Sequence, residues 1–235
     1  MNLYYNKIKK KDGVYIFSFD RRSFNLSAYE NVAETLNKLN QDDNCKAVIL
    51  TGTGKVFSAG HDLSEQMTDE TPISRMMNSI INFSKPLIAA VNGPAIGIGC
   101  TILGWCDIVY SVRSAFFEMP FRRIGIIPEF GCRYTMQHIG RSNLNEMLYF
   151  GKRQSAQIMY ERGFISRLFE SYEEMLADIM GSLEDVSTRE MQVYKKLIQH
   201  PDHSSLWTKA VKQETEIVRG IVYDNLSFDD IISKL

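Results

Sequence analysis

The sequence predicts an α/β fold in which parallel strands alternate with helices, followed by a helical region. Short apolar runs bounded by turn residues indicate buried strands, and amphipathic segments between them indicate the connecting helices. Strand-like runs stop after about residue 141, whereas helical patterns continue. We therefore expect one domain over residues 1–235, with an α/β core at 1–140 and a mainly helical region at 141–235.

The first β-α-β unit lies near the N-terminus. Residues 13–19 (GVYIFSF) are rich in β-branched and aromatic side chains and predict a strand. A helix is expected to begin at Ser27, because serine is a good N-cap residue and Glu30 stands at the capping-box position. Residues 46–51 (KAVILT) then predict a short buried strand that ends at a glycine turn.

The same alternation recurs farther along the chain. The expected elements are a helix at 73–83, a strand at 86–92, a helix at 97–104, a strand at 107–111, and helices at 141–150, 154–162, 172–183, 187–199 and 204–219. These loosely repeated strand-strand-helix units fit the stacked turns of a spiral. The polar stretch at 64–74 is the best candidate for a mobile surface loop.

Composition and charge exclude several classes of protein. The proportions of hydrophobic residues (44%) and charged residues (23%) are those of a soluble globular protein. A net charge of −1 with dispersed basic residues argues against a nucleic acid or an anionic membrane as partner. The uncharged stretch at 86–106 is long enough to span a membrane, but its glycines and proline favour a strand, a turn and a buried helix. No secretory signal is expected at the N-terminus.

The cysteines are expected to be reduced core thiols. They are Cys45, Cys100, Cys106 and Cys132, and none of their spacings forms the CxxC pair of a zinc site. We therefore expect neither a disulfide framework nor a metal site.

The first motif that carries chemistry is FSAGHDL at residues 57–63. A strand and a turn bring a glycine before a residue whose backbone N–H could face a ligand. Taken alone the signal is weak, because a plain glycine turn solvated by His61 and Asp62 has the same sequence.

The second motif is AAVNGPAIGIGCT at residues 89–101. A buried strand ends at Asn92, and a glycine-rich turn opens a helix near Gly97. Free N–H groups at a helix start are electropositive and favour an oxyanion. Close packing of a helix on a strand is the alternative interpretation of the same glycines.

Together, the two motifs are much more specific. Their order, their spacing and the following CDIVY strand resemble the crotonase (enoyl-CoA hydratase/isomerase) superfamily over residues 13–169. The resemblance implies a crotonase-like spiral of β-β-α units, in which two backbone N–H groups hold a thioester carbonyl. Those groups fall here on His61 and Ile98. The residues that the resemblance places around the substrate are Ser58, Ala59, Gly60, Asp62, Leu63, Gly97 and Phe121.

The acid or base that accompanies these N–H groups decides the reaction. Hydratases of the superfamily carry two glutamates that activate water, and the matching positions here are Thr101 and Phe121. Hydration is therefore poorly supported. Glu118 falls on neither position, and we interpret it as a structural residue.

Glu129 is the candidate catalytic base. Its segment, GIIPEFGC at 125–132, resembles the peroxisomal Δ3,Δ2-enoyl-CoA isomerases, whose catalytic glutamate follows a proline and precedes a glycine. The same subgroup carries a VNGPAIG-like turn and a Pro-Phe dipeptide, as this chain does. Phe130 here separates the glutamate from the glycine. Apolar neighbours indicate a dry pocket, which would raise the pKa of the carboxylate; a plain position in a first helical turn is the alternative.

The resemblance implies a Δ3,Δ2-enoyl-CoA isomerase of fatty-acid β-oxidation. Glu129 would move a proton from C2 to C4 of a 3-enoyl-CoA while His61 and Ile98 hold the dienolate. No metal or redox cofactor is required, and coenzyme A enters as part of the substrate. The alternatives are a hydratase-like enzyme and a non-catalytic acyl-CoA-binding module, since the chromodomain Y-like corepressors have a similar domain that lacks the glutamate.

The last three residues suggest a location. Ser233, Lys234 and Leu235 match the tripeptide that the peroxisomal import receptor recognises, so we expect import into the peroxisome, with the cytoplasm as the alternative. The resemblance further implies a homotrimer.

Overall fold

A computed structural model describes residues 6–19, 21–65, 71–125, 128, 139–198, 209, 212–214 and 216–217. Its strands are β1 (Asn6–Lys11), β2 (Val14–Phe19), β3 (Ala47–Gly52), β4 (Leu87–Val91), β5 (Ala95–Ile96), β6 (Ile108–Val112), β7 (Phe116–Glu118), β8 (Gln154–Ser155) and β9 (Arg167–Phe169). Its α-helices are α1 (Leu26–Gln41), α2 (Thr71–Ile81), α3 (Ile98–Thr101), α4 (Arg141–Phe150), α5 (Ala156–Glu161), α6 (Tyr172–Ser182) and α7 (Thr188–Ile198). Residues Ile102–Trp105 and Phe121–Ile124 form 3₁₀ helices.

The main sheet has the strand order β1-β2-β3-β4-β6-β9 within the described residues. The pair β1 and β2 is antiparallel, and the other neighbours are parallel. Every residue of β3 and β4 is buried, as expected of central parallel strands covered on both faces. The predicted α/β class is therefore confirmed, with the predicted strands at 13–19, 46–51, 86–92 and 107–111 displaced by one residue or less at each end.

Five strands differ from the sequence expectations, and four of them are only two or three residues long. The strand β1 precedes the predicted start of the fold, and β5, β7 and β8 form a second sheet in the order β5-β7-β8. The expectation that strands stop after residue 141 is wrong, because β8 and β9 both follow it. β9 pairs with β6 and so forms the edge of the main sheet. Strands of two or three residues carry too few side chains to show a period of two.

The N-cap of helix α1 lies two residues before the predicted one. Asn25 has the extended backbone of a capping residue, with φ −105° and ψ 176°, and its side chain accepts a hydrogen bond from the Ala28 N–H at 2.9 Å. The Ser27 hydroxyl donates to the Asn25 Oδ1 at 3.0 Å from inside the first turn. Asparagine and serine are equally good caps, so composition alone did not distinguish them.

The helix α2 corrects the prediction of a loop at 64–74. Thr71 begins the helix, and Pro72 and Ile73 in its first turn are buried. Proline is favoured there because its missing N–H would have no intrahelical partner. Residues 66–70 lie outside the described residues. The helix packs against α1, where Arg75 Nη1 lies 3.0 Å from Glu30 Oε1.

The C-terminal helices confirm the predictions at 141–150, 172–183 and 187–199 to within one residue at each end, and the helix predicted at 154–162 begins two residues later, after β8. Of the helix expected at 204–219, residues 209, 212–214 and 216–217 are described and are helical. The helix α7 is tied to the sheet by Lys195, whose Nζ donates to the Lys85 carbonyl at 3.0 Å and to Asp107 Oδ2 at 2.8 Å. Among the described residues, no helix is both long and apolar enough to cross the bilayer.

Three of the four cysteines are free and buried, as predicted. Burial raises the pKa of the Cys45 thiol to about 11 and that of the Cys100 thiol to about 12. Cys106 is buried as well, with its pKa raised in the same direction. These thiols are therefore protonated and unreactive at neutral pH. Cys132 lies outside the described residues.

Replacing Asn25 by alanine is expected to lower the free energy of unfolding by about 1 kcal/mol, because the cap on the Ala28 N–H is lost. Urea unfolding followed by circular dichroism measures the change. Ser27→Ala is the matched control and is expected to cost less than about 0.5 kcal/mol, as surface substitutions usually do. A larger loss for Ser27→Ala than for Asn25→Ala would contradict the assignment of the cap.

Candidate active site

The first motif is held in place by the segment that leads into α1. Phe24 forms an isolated parallel bridge with His61: the Phe24 N–H donates to the Gly60 carbonyl at 2.7 Å, and the Asp62 N–H donates to the Phe24 carbonyl at 2.7 Å. His61 lies between the two residues that make these bonds, and in a parallel bridge the N–H and C=O groups of such a residue point away from the partner strand. The N–H of His61 therefore points away from Phe24.

A second bridge joins the first motif to the second. Ser58 pairs with Ala95 of β5, and the Ile96 N–H donates to the Ser58 carbonyl at 2.9 Å. The two motifs are thus neighbouring strands, as the resemblance requires.

Gly60 and Gly97 bring the two turns into contact. Both have positive φ, of +87° and +56° respectively, which L side chains rarely adopt. A Cβ atom on Gly97 would lie 3.8 Å from the Gly60 Cα, and one on Gly60 would lie 3.0 Å from the Ile96 carbonyl oxygen. The residue after each glycine is one of the two predicted N–H donors, His61 and Ile98. Glycine at both positions therefore allows the two donor loops to lie side by side.

Ile98 is the first residue of α3. The N–H of the preceding Gly97 is already used, since it donates to the Glu118 carbonyl at 2.9 Å. The N–H groups of Cys100 and Thr101 donate back to the Gly97 carbonyl at 2.8 and 3.1 Å. Ile98 lies between these groups, in the first turn, where backbone N–H groups have no intrahelical acceptor. Its side chain is buried.

Ser58 supports this turn from beneath. It is buried, and its Oγ accepts a hydrogen bond from the Gly60 N–H at 3.2 Å. A Cβ atom on Gly99 would come within 2.5 Å of the Ser58 Cβ, so the Ser58 side chain packs directly against the backbone of Gly99.

The rest of the first motif runs to the surface. Ala59, His61 and Asp62 are half-buried, and Leu63 is 70% exposed. Hydrogen bonds from the Ser64 N–H and hydroxyl to Asp62 Oδ1 lower the pKa of that carboxyl group. Leu63 is thus the apolar side chain of this motif that a ligand could cover.

The His61 side chain is packed against α1. Its ring is stacked on that of Tyr29, with centroids 5.9 Å apart and planes within 5°, and its Nδ1 lies 3.1 Å from the Tyr29 hydroxyl. Burial lowers the pKa of His61, so the imidazole is neutral at physiological pH.

The positions of the two hydratase glutamates hold buried side chains without carboxylates. Thr101 is fully buried, and its hydroxyl donates to the Ile98 carbonyl at 3.3 Å. Phe121 is buried at the start of the second 3₁₀ helix.

The carboxylate of Glu118 is buried and paired with two arginines. Arg123 Nη2 lies 2.8 Å from Glu118 Oε1, and Arg153 donates to Oε2 from Nε and Nη2 at 3.1 and 2.9 Å. Sequence reasoning did not identify either arginine. The cluster connects β7 to the segment before β8 and agrees with the structural role predicted for Glu118.

Glu129 lies outside the described residues, and so do Ser233, Lys234 and Leu235. The chain is described up to Gly125, which ends the 3₁₀ helix in the left-handed conformation, and again at the half-buried Pro128. Within the described part of the chain, no cluster of three or more His, Cys, Asp or Glu side chains could hold a metal ion.

Comparison with known proteins places this geometry in context. The profile of the enoyl-CoA hydratase/isomerase family matches residues 9–227. Mouse peroxisomal enoyl-CoA delta isomerase 3 is 30% identical over 219 residues, which cover 86% of this chain and 69% of that protein. The mouse chromodomain Y-like protein is 34% identical over 181 residues, which cover 69% of this chain but only 30% of that protein.

A solved structure agrees with the fold. The structure of OdaA from Pseudomonas aeruginosa superposes with a TM-score of 0.85 at 26% identity, over 98% of this chain and 97% of that one. The β-β-α spiral that the resemblance implied is therefore confirmed.

Gly60→Ala is expected to lower the free energy of unfolding by about 2–3 kcal/mol, because it adds crowding against the Ile96 carbonyl to the cost of a positive φ. Gly54→Ala is the matched control: its φ is +71°, but a Cβ there has no atom within 4 Å. It should lose only the backbone term of about 1–2 kcal/mol. Urea unfolding of both variants checks the difference, and equal losses would argue against the close contact of the two turns.

Proposed function

The chain belongs to the enoyl-CoA hydratase/isomerase family, and we propose that within this family it is a Δ3,Δ2-enoyl-CoA isomerase of fatty-acid β-oxidation. The observation that carries the proposal is the contact between the Gly60 and Gly97 turns, since it brings the His61 and Ile98 loops together.

The two N–H groups suit an enolate. Removal of a proton next to a thioester carbonyl develops negative charge on the carbonyl oxygen, and that charge must be held until the proton returns. Fixed backbone donors do this without reorganising, and the loss of one such donor typically costs about 10²–10³ in rate. We assign the donors to His61 and Ile98, and the contacts of the acyl-CoA to Ser58, Ala59, Gly60, Asp62, Leu63, Gly97 and Phe121.

A single base completes an isomerase. Glu129 takes the proton from C2 of the 3-enoyl-CoA, and the same carboxyl group returns it at C4, which leaves the double bond between C2 and C3. The substrate and the product have the same atoms and the same oxidation state, so the proposed reaction needs no redox cofactor. The two backbone N–H groups hold the enolate charge, so the reaction needs no metal either. Coenzyme A takes part as the carrier of the acyl group.

Three side chains of the described site support isomerisation over hydration. Thr101 and Phe121 are buried and supply no carboxylate where hydratases have one, and the Glu118 carboxylate is engaged by Arg123 and Arg153. Hydration needs groups that both activate a water molecule and protonate the α-carbon. The described part of the site offers no such pair.

Binding without turnover is the second candidate. The similarity to the chromodomain Y-like protein, 34% over 181 residues, favours it, because that protein's name does not describe an enzyme of acyl-CoA metabolism. The two candidates differ in the role of Glu129. Conversion of a 3-enoyl-CoA separates them.

Glu129→Gln is expected to reduce isomerase kcat by at least about 10³-fold, because shape is kept while the base is lost. The assay follows formation of the conjugated 2-enoyl thioester from 3-hexenoyl-CoA by its ultraviolet absorbance. Calorimetry with hexanoyl-CoA should show binding within about threefold of wild type, since the acyl-CoA contacts are retained.

Glu34→Gln is the matched control, because Glu34 is exposed on α1. It is expected to have wild-type activity. Glu129→Gln activity within threefold of wild type would remove Glu129 from the mechanism. Wild-type hydration of 2-hexenoyl-CoA as fast as the isomerisation would favour the hydratase, and binding with no turnover would favour the second candidate.

We further propose that the protein acts in the peroxisome as a homotrimer. The location is supported by Ser233, Lys234 and Leu235 and by the peroxisomal relative in mouse. The assembly follows from the family resemblance, and sedimentation velocity tests it.

A fluorescent protein fused before Met1 is expected to give a punctate distribution in eukaryotic cells that coincides with a peroxisomal marker. Deleting 233–235 should make the distribution diffuse, because the receptor reads a free terminal tripeptide. Isomerase activity of the deleted form is the control and should be unchanged. A diffuse distribution of the undeleted form would place the protein in the cytoplasm instead.

A further inference from the structure

The loop that contains His61 depends on the start of α1 for its position. The backbone contributes three hydrogen bonds: Ala59 N–H to the Arg22 carbonyl at 2.5 Å, and the two bonds of the Phe24 bridge. Past His61, Glu65 Oε2 accepts from the Leu26 N–H at 2.7 Å. These contacts fix the backbone on both sides of His61.

The side chain of His61 makes the remaining contact with α1, through Tyr29. Tyr29 is completely buried, and its ring is itself stacked on Phe24, with centroids 5.3 Å apart and planes within 12°. The three parallel rings Phe24, Tyr29 and His61 therefore form one stack. The stack runs from Phe24 to His61, the two residues that the backbone bridge pairs.

The direction of the hydrogen bond between these rings depends on which nitrogen of the neutral His61 carries the proton. A neutral imidazole has one acceptor nitrogen, and the phenol O–H of Tyr29 donates to it if Nδ1 carries no proton. The Nε2–H tautomer meets that condition, and the Tyr29 hydroxyl then holds the imidazole of the loop against α1.

Protonation would disturb this arrangement. An imidazolium ion has two donors and no acceptor, so the Tyr29 hydroxyl could no longer donate its hydrogen bond to Nδ1. Among the described residues, the titratable and charged groups that face His61 are Tyr29 from α1, and Asp62 and Glu65 from the loop; Arg21 lies beside Asp62. Burial outweighs the attraction of the two carboxylates and lowers the pKa of His61.

We infer that Tyr29 is a positioning residue for the oxyanion-binding loop, acting through the imidazole of His61 to aim the His61 backbone N–H. The inference rests on the function proposed above for that N–H. It adds a residue from a different element, 32 positions away in sequence, that does not touch the substrate.

Tyr29→Phe tests the inference, because it keeps the stacked ring and removes the hydroxyl. Tyr15→Phe is the matched control: the Tyr15 hydroxyl donates to Asp42 Oδ2 at 2.7 Å, at the opposite end of α1. The direct readout is the infrared carbonyl stretch of bound but-2-enoyl-CoA labelled with ¹³C at C1. The wild type should lower this frequency strongly, Tyr29→Phe should lower it less, and Tyr15→Phe should match the wild type.

The kinetic readout is isomerisation of 3-hexenoyl-CoA. Tyr29→Phe should lower kcat by roughly tenfold with little change in KM. This loss is smaller than the 10²–10³ expected when a donor is removed completely, because the His61 N–H would still be present but poorly oriented. Wild-type kcat should also fall as the pH drops below the ordinary histidine value of 6.5, because His61 then gains its proton at its lowered pKa.

Two substitutions of His61 separate positioning from packing. Asparagine presents an Oδ1 acceptor near the place of Nδ1 and cannot gain a proton, whereas leucine fills the space without an acceptor. His61→Asn should have a kcat roughly tenfold above that of His61→Leu. It should also lose less activity at acidic pH than the wild type does, because the loss that remains comes from protonation of the base Glu129.

The outcomes are distinguishable from failure of the proposed function. A carbonyl shift in the wild type without turnover overturns the isomerase and leaves Tyr29 to be judged by the shift alone. Equal carbonyl shifts and equal kcat for Tyr29→Phe and wild type overturn the role of Tyr29, as does equal kcat for His61→Asn and His61→Leu. Absence of any carbonyl shift in the wild type overturns both.

Discussion

The approach of the Gly60 turn to the Gly97 turn is the contact on which the rest of the site depends. Each turn follows a buried parallel strand, and neighbouring parallel strands end at the same edge of a sheet. Asn92 joins those two strand ends directly: its side chain accepts from the Gly52 N–H at 2.9 Å and donates to the Gly52 and Gly54 carbonyls at 3.1 and 2.9 Å. The sheet thus sets the distance between the turns before any substrate is present, and the absence of a Cβ at both glycines lets the distance be short.

The interior of the fold was predictable because its signals are local. The apolar runs of β3 and β4 predict buried strands, and the amphipathic patterns of α1 and α2 predict the helices that cover the sheet. The predictions that were wrong concern features that depend on residues distant in sequence. Ser27 and Asn25 are equally acceptable caps, and the bridge of Phe24 to His61 helps to determine which one begins α1. β8 and β9 owe their strand conformation to partners far away in sequence, and such pairing leaves little trace in a segment of two or three residues.

The residues of the candidate site also differ in whether a local sequence pattern predicts them. His61 and Ile98 were predicted from motifs in which each glycine and its neighbour lie together in the chain, so a local pattern was enough to propose them. Arg153 reaches Glu118 across 35 residues, and Tyr29 reaches His61 across 32. Neither pair has a spacing that sequence reasoning recognises, since a tyrosine on the inner face of a helix looks like any core residue. The property that distinguishes Tyr29 is its complete burial, and burial is known only once the fold is known.

The position of β9 at the edge of the main sheet has a consequence for synthesis of the chain on the ribosome. The strands β1, β2, β3, β4 and β6 can associate as soon as residue 112 has emerged. The open edge of β6 is then paired only when residues 167–169 emerge, and Asp107 is bonded only when Lys195 does. Until then a row of unpaired backbone groups faces solvent, a template for pairing with another nascent chain. Tyr110 and Val112 lie on that strand, so the interval between their emergence and that of Phe169 is the period in which this edge is open to aggregation.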